Sequence, residues 1–210
     1  MSTNLNITPL GKFNYAFIIA DDDKVEGARK RGSGLFIPKT PEGYSELTTD
    51  PAKQKKYVAK AKAWVDAYVA DCEKKAKDEF GAKWKASNWN RIKDGDEQDE
   101  YPGYWKVQGK TKFRPATADR LGKPVGDDDC DTKFSNGNWG LLHIDDTKAG
   151  AFGGKKSVAC GNLKGLQYMC DGAPVSGGDA TCDFAELEQV DVQEGDFAPL
   201  DNDDDLDTLE

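Results

Sequence analysis

From Asp183 to Glu210 the chain carries 12 acidic residues and no basic one. A segment of that composition cannot bury enough apolar surface to offset the entropy of ordering it. The sequence therefore predicts a disordered acidic tail over residues 183–210, and residues 1–182 must supply the folded domain. The tail also hides the character of that domain. The whole chain of 210 residues has a formal net charge of −9. Without the tail, 29 bases face 26 acids, and residues 53–93 alone hold 12 bases against 5 acids. Such asymmetry points to contact with a polyanion or a charged surface, beside a solvating segment.

Several classes are disfavoured early. No stretch of about 18 apolar residues exists, so no membrane span is expected. Met1 to Leu10 lacks the basic and apolar regions of a secretion signal, so a cytoplasmic location is the expectation. The cysteines are Cys72, Cys130, Cys160, Cys170 and Cys182, an odd number with no CxxC pair. Free thiols are the reading, with neither a disulfide framework nor a zinc site. No cofactor is implied.

Local patterns divide the domain. Phe13, Tyr15 and Phe17 alternate with Asn14 and Ala16, which predicts a first strand over 12–20. Residues 21–34 read as a loop, and Leu35 to Ile37 as a short strand stopped by Pro38. Asp50-Pro51 is a helix start, and Tyr57, Ala61, Trp64, Val65, Tyr68, Val69 and Cys72 follow at helical spacing. A helix over about 51–79, ended by Gly81, is expected. Residues 86–103 read as a polar loop. Tyr104 to Gly109 alternates as a strand, extended by Lys112 to Arg114. Asp127 to Asp131 reads as a charged loop, Asn136-Gly137 as a tight turn, and Asn138 to Ile144 as a strand. Gly150 to Gly154 reads as a bend and Ser157 to Cys170 as the last β region. The sum is a mainly β, α+β domain: a five-stranded Greek-key barrel of the OB type, with one long helix inserted between early and later strands. A small α+β domain of other topology is the alternative.

Enzyme chemistry is thinly represented. The single histidine, His143, sits in Gly-Leu-Leu-His-Ile and reads as a packed strand residue. The Asp127–Asp131 run lacks the spacing of a calcium loop, and no phosphate-binding, serine-hydrolase or zinc-protease motif occurs. The protein is read as a binder, with no catalytic or metal residues. Basic and aromatic residues interleave instead. Single-stranded nucleic acid is held where Lys and Arg meet phosphates and flat side chains stack on bases. The candidates for stacking are Tyr15, Phe17, Tyr104, Trp105, Phe113, Trp139 and Phe152. The candidates for phosphate are Lys12, Lys39, Lys106, Lys110, Lys112, Arg114, Lys155 and Lys156. Trp84-Lys85, Trp89 and Arg91 share the composition. About half of any strand's aromatics face a core, so Tyr104 and Trp105, on opposite faces, do not both qualify. Two rival readings stay open: a metal-dependent nuclease using the Asp-rich loops, and an acidic module that binds basic proteins.

On these residues the chain resembles the OB-fold single-stranded DNA-binding proteins of tailed bacteriophages. The pattern runs from Phe13-Asn14-Tyr15-Ala16-Phe17 through the basic helix to Tyr101-Pro102-Gly103-Tyr104-Trp105 and Phe113-Arg114-Pro115. It continues with Asn136-Gly137-Asn138-Trp139, Gly154-Lys155-Lys156-Ser157-Val158 and Leu166-Gln167-Tyr168, then the acidic tail. It covers about residues 8–175 plus the tail. The resemblance implies sequence-independent binding of single-stranded DNA in phage replication, recombination and repair, without catalysis. It implies a tail that regulates DNA access and recruits replication or recombination proteins, and it leaves a homodimer open. Many relatives end on an aromatic residue; here Leu209-Glu210 follows, with Phe197 further in.

Overall fold

The computed structural model describes residues 4–18, 31–81, 92–97, 101–145, 148–152, 155–159 and 162–175. The acidic segment 183–210 and the Trp84–Arg91 stretch lie outside the described residues, as do the side chains of Phe17, Phe152, Lys155 and Lys156.

Helix α1 spans Pro51–Phe80, one residue beyond its expected end. Asp50 caps it by accepting from the Ala52 N–H at 2.9 Å, and Pro51 sits where its missing N–H costs nothing. At the other end Gly81 adopts φ +94, a conformation costly for a side-chain-bearing residue. The helix buries Ala61, Trp64, Val65, Tyr68, Cys72 and Ala76. This is the stripe that the spacing predicts.

Strands β1 (Gly11–Phe17), β2 (Arg31–Pro38), β3 (Ile92–Asp94), β4 (Tyr104–Thr111), β5 (Ala116–Ala118), β6 (Trp139–Ile144), β7 (Lys148–Phe152), β8 (Lys155–Ala159) and β9 (Leu163–Cys170) follow in chain order. Seven form one sheet in the order β3-β4-β2-β1-β6-β9-β5, and β7 pairs with β8 in a separate hairpin. All pairings in the large sheet are antiparallel except β5 with β9, so the sheet is mixed.

The strand count exceeds the expected five, and the extra elements have local causes. Residues 31–34 belong to β2 although Gly32 and Gly34 made them resemble a loop. The polar stretch 86–103 contains β3 and a 3₁₀ turn, Gly95–Glu97, because Ile92 is buried opposite Val107. β4 stops at Thr111, so Lys112 to Arg114 does not extend it. Gly150 lies within the β7–β8 hairpin, and the last β region is two strands, β8 and β9. Asp127 to Asp131 is no loop: helix α2 spans Asp127–Lys133. Its three leading aspartates lie at the positive end of the helix dipole and Lys133 at the negative end. Cys130 and Phe134, one turn apart, are both buried beneath it.

The core is one cluster that joins the inner side of the sheet to the buried stripe of α1. Phe13, Leu35, Ile37, Val107, Leu142, Ile144, Leu163 and Leu166 fill it, with the Phe13 ring edge-on to Phe134 at 5.4 Å. Gly140 admits this packing: a Cβ there would sit 2.1 Å from the Phe13 ring and 2.5 Å from the Gln167 carbonyl oxygen. Among the described residues no helix is long and apolar enough to cross a membrane.

Candidate nucleic-acid interface

The register of β1, β2 and β4 sorts their side chains onto two faces. In β2, Leu35 and Ile37 point into the core, so Gly32, Gly34 and Phe36 belong to the outer face. Their partners on β4 are Lys110, Gln108 and Lys106, while Pro38 pairs with Tyr104. Trp105 opposes Ile37 and Val107 opposes Leu35, on the core side. β1 reaches the same outer face through a bulge. Phe13 pairs with Leu35, the register shifts, and Ala16 then pairs with Ser33 and Phe17 with Gly32. Phe13, Tyr15 and Phe17 therefore do not share one face, as strict alternation predicted. Phe13 is fully buried, whereas the Tyr15 ring lies over Gly34, where an added Cβ would be 3.3 Å from it.

An aromatic cluster centres on this face. The Phe36 ring lies 5.0 Å from Tyr101 and 5.9 Å from Tyr104. The Lys106 ammonium stands 5.5 Å from the Phe36 centroid and 5.2 Å from that of Tyr101. Burial raises the Tyr104 phenol above its usual pKa, so it stays a neutral donor. Lys93 on β3 lies directly opposite Lys106 on β4. Two lysines facing each other across strands concentrate positive charge on this face. Lys110 continues the row, and no ion pair to it is found among the described residues.

Sequence reasoning named Tyr15, Tyr104, Lys106 and Lys110 on this face and missed Lys93 and Gln108, as well as Phe36 and Tyr101, which are buried and support the face from beneath. Period-two alternation through Leu35-Phe36-Ile37 was the available signal for Phe36. Lys112, Phe113 and Arg114 sit beyond the end of β4. Phe113 is 68% exposed with the Lys112 ammonium 4.8 Å from its ring. Arg114 binds both carboxylate oxygens of Asp127.

Other candidates are placed differently. Trp139 has 0% exposure and leaves no face for a base. Its ring stacks on Tyr44 at 5.6 Å and its indole N–H donates to Glu46 at 3.0 Å. Lys12 is also buried. Its ammonium donates to Glu46 at 2.7 Å and to the Ala173 carbonyl at 2.9 Å. Lys39 donates to Asp94 and, at 2.6 Å, to Asp96. Burial pushes its pKa down, but the bonds to these two carboxylates outweigh that and raise it. Trp105 packs partly against the core, with the Lys39 ammonium 5.5 Å from its ring. In each case a partner distant in sequence has claimed the side chain.

Glu46 makes a test of this arrangement possible. Burial pushes its carboxyl up, but the bonds from Lys12 and Trp139 and the Lys12 charge hold it below the usual range. A depressed folded pKa gives stability that is present above the unfolded value and lost as pH falls through the folded one. Glu46→Gln should cost about 1–3 kcal/mol at neutral pH, because an amide cannot neutralise the buried Lys12 ammonium. The penalty should shrink as pH falls below the ordinary glutamate value and through the lower folded one, where the native carboxylate is itself being protonated. Denaturant melts across pH check this; a pH-independent difference would contradict it.

The chain was compared with known proteins. A family model described as Enterobacter phage Enc34, ssDNA-binding protein, matches residues 33–197. No curated protein sequence matches significantly. Among solved structures, the chain is similar to the single-stranded DNA-binding protein of bacteriophage Enc34 in complex with ssDNA. The TM-score is 0.59 at 16% identity, covering 83% of this chain and 96% of that one. A C-terminal truncation of the Enc34 protein gives 0.58 at 16% identity, covering 83% and 95%. The identities are low and these structural likenesses speak for the fold. The family match spans well over half of the sequence. The chain belongs to the Enc34 single-stranded DNA-binding protein family.

Proposed function

We propose that this protein binds single-stranded DNA without sequence preference on the outer face of β1, β2 and β4, in phage DNA replication within the infected cell. The observation that carries this reading is the placement of the half-buried Tyr15 and Tyr104 on one face with Lys93, Lys106 and Lys110, over a floor made by the buried Phe36 and Tyr101 rings. Rings supply sequence-tolerant stacking worth about 1–3 kcal/mol per base, and the lysines neutralise phosphate. Membership of the Enc34 family supports it.

The sheet is read as an OB barrel with additions. Its five barrel strands are β1, β2, β4, β6 and β9, neighbours in the order β4-β2-β1-β6-β9. Closure between β9 and β4 is supported by Leu163, whose side chain lies against Gly109. On this reading α1 and β3 are inserted after the second barrel strand, α2 precedes the fourth, and the β7–β8 hairpin joins the fourth to the fifth. OB folds bind oligonucleotides on the face of their second and third strands and with the loops after the first and fourth. Those positions are the β2–β4 face, residues 18–30, and the hairpin that carries Phe152, Lys155 and Lys156. We assign the tail, residues 183–210, to regulating DNA access and contacting replication or recombination proteins. A homodimer is compatible with this scheme. The nuclease reading draws no support from the Asp-rich run, since Asp127 is engaged by Arg114 on a helix. Among the described residues, no three His, Cys, Asp or Glu side chains converge.

Titration of labelled oligothymidylate over a range of salt tests the function. The log–log slope should be about −0.7 per phosphate neutralised, so four to six contacts give roughly −3 to −4. Removing residues 183–210 should tighten binding. The strand should remain intact with Mg²⁺ present. Absence of binding at low salt, with the tail present and removed, would sink the proposal.

A further inference from the structure

We infer that the first half of α1 is a second contact surface for single-stranded DNA, one that grips only the phosphate backbone of a strand running beyond the sheet face. The inference rests on the single-strand reading above and adds a site to it.

From Pro51 to Val65 the helix carries Lys53, Lys55, Lys56, Lys60 and Lys62 and no acidic residue. Its first turn has no acid at all. Cations near the positive end of a helix dipole are unfavourable. The second half behaves differently. Lys75 pairs with Asp71 and Lys77 with Glu73, both one turn apart, and Lys62 pairs with Asp66 at the boundary. That half is an ordinary solvated face in which 5 acids stand against 3 lysines over residues 66–80. Lys53, Lys55, Lys56 and Lys60 are all exposed, and no ion pair to any of them is found among the described residues. Lys53, Lys56 and Lys60 follow three- and four-residue steps, so they share one flank of the helix.

The position of this flank relative to the sheet is fixed by rings. Tyr57, on the helix between these lysines, stacks near Tyr44 at 5.2 Å, and Tyr44 stacks on Trp139 at 5.6 Å. Trp139 pairs with Lys12 on β1, and Lys12 pairs with Phe36 on β2. The basic flank is thus tied by a chain of aromatic contacts to the strands that bear the Phe36 cluster. Between its lysines stand Ala52, Ala59 and Ala63, and the one ring there, Tyr57, is half-buried and packed against Tyr44. A base would find no free ring to stack on, since Tyr57 is engaged by Tyr44. The chemistry available is charge alone, which suits a phosphodiester backbone and reads no sequence.

The test uses the full chain and the triple variant K53Q/K56Q/K60Q, with oligothymidylates of about 6 and about 30 nucleotides, bracketing the span of one OB face. Glutamine is nearly as good a helix former as lysine, and removing these charges favours the helix dipole, so the melting midpoint should not fall. The 30-mer should lose about 2 from the magnitude of its log–log salt slope, equivalent to roughly 100-fold in affinity at 0.1 M salt. The 6-mer should be bound as by the native protein. An unchanged slope on the 30-mer overturns the inference, and so does an equal loss on both lengths, which would place the lysines in the sheet site. Failure of the native protein to bind either length would instead overturn the function proposed above.

Discussion

Trp139→Ala should destabilise the domain by about 3–5 kcal/mol and lower its melting midpoint by roughly 10 °C or more, while the protein that remains folded keeps its affinity for single strands. Trp139 is among the largest fully buried side chains in the described residues. Its removal opens a cavity beside Tyr44 and strips Glu46 of an indole donor. It also takes away the ring beneath the Lys12 ammonium, 5.2 Å from its centroid. Gly172 packs against the same indole, close enough that a Cβ would lie 2.7 Å from it, so the 171–175 segment loses its seat as well. A native stability of about 5–15 kcal/mol leaves little margin for such a loss. Trp139→Phe should recover part of it, since a ring still meets Tyr44 though no N–H reaches Glu46. Thermal melts paired with oligothymidylate titration decide the matter. An unchanged melting midpoint with lost affinity would return Trp139 to the DNA-contact set.

That test separates what the sequence carries locally from what it does not. Helix α1 was legible because its cap, its proline, its stripe and its terminal glycine all lie within one short window. β4 was legible because Tyr104, Lys106, Gln108 and Lys110 alternate with Trp105, Val107 and Gly109. Helix α2 was not, because three leading aspartates look like a solvated loop until Cys130 and Phe134 are known to find a core. The hairpin β7–β8 was hidden by its glycines. In the candidate site, a lysine beside an aromatic was a sound cue to composition and a poor one to exposure. Lys12 and Trp139 have the same neighbours in sequence as true surface residues. Their fate is set by Glu46, which is 34 residues from Lys12 and 93 from Trp139. Lys39 is settled likewise by Asp94 and Asp96, 55 and 57 residues away. Phe36 was passed over because a residue between two core residues looks like core; the strand's period places it on the other face, where Tyr101 and Tyr104 bury it.

The reading of the β2–β4 face predicts the largest effect on binding for Lys106→Glu combined with Lys110→Glu. The two positions are four apart on one strand, so their side chains leave the same face about 13 Å apart along it. Each lysine that neutralises a phosphate contributes about 0.7 to the magnitude of the salt slope. Losing two should flatten it by about 1.4, which at 0.1 M salt corresponds to roughly 25-fold weaker binding. Reversal adds repulsion to that loss, so the measured decrease should exceed it. Folding should be affected much less. Lys110 is half-buried on the outer face, and Lys106 makes its ring contacts with Phe36 and Tyr101, whose own packing does not depend on the ammonium. Glutamate at position 106 would also face Lys93 across the strands, replacing a repulsive pair by an attractive one. The variant should therefore melt close to the native protein while binding both short and long oligothymidylates poorly. This differs from the α1 variant, whose deficit should be confined to long strands. A double reversal that left short-oligonucleotide affinity intact would remove the β2–β4 face from consideration and direct attention to the exposed Phe113 and the strand end that follows Thr111.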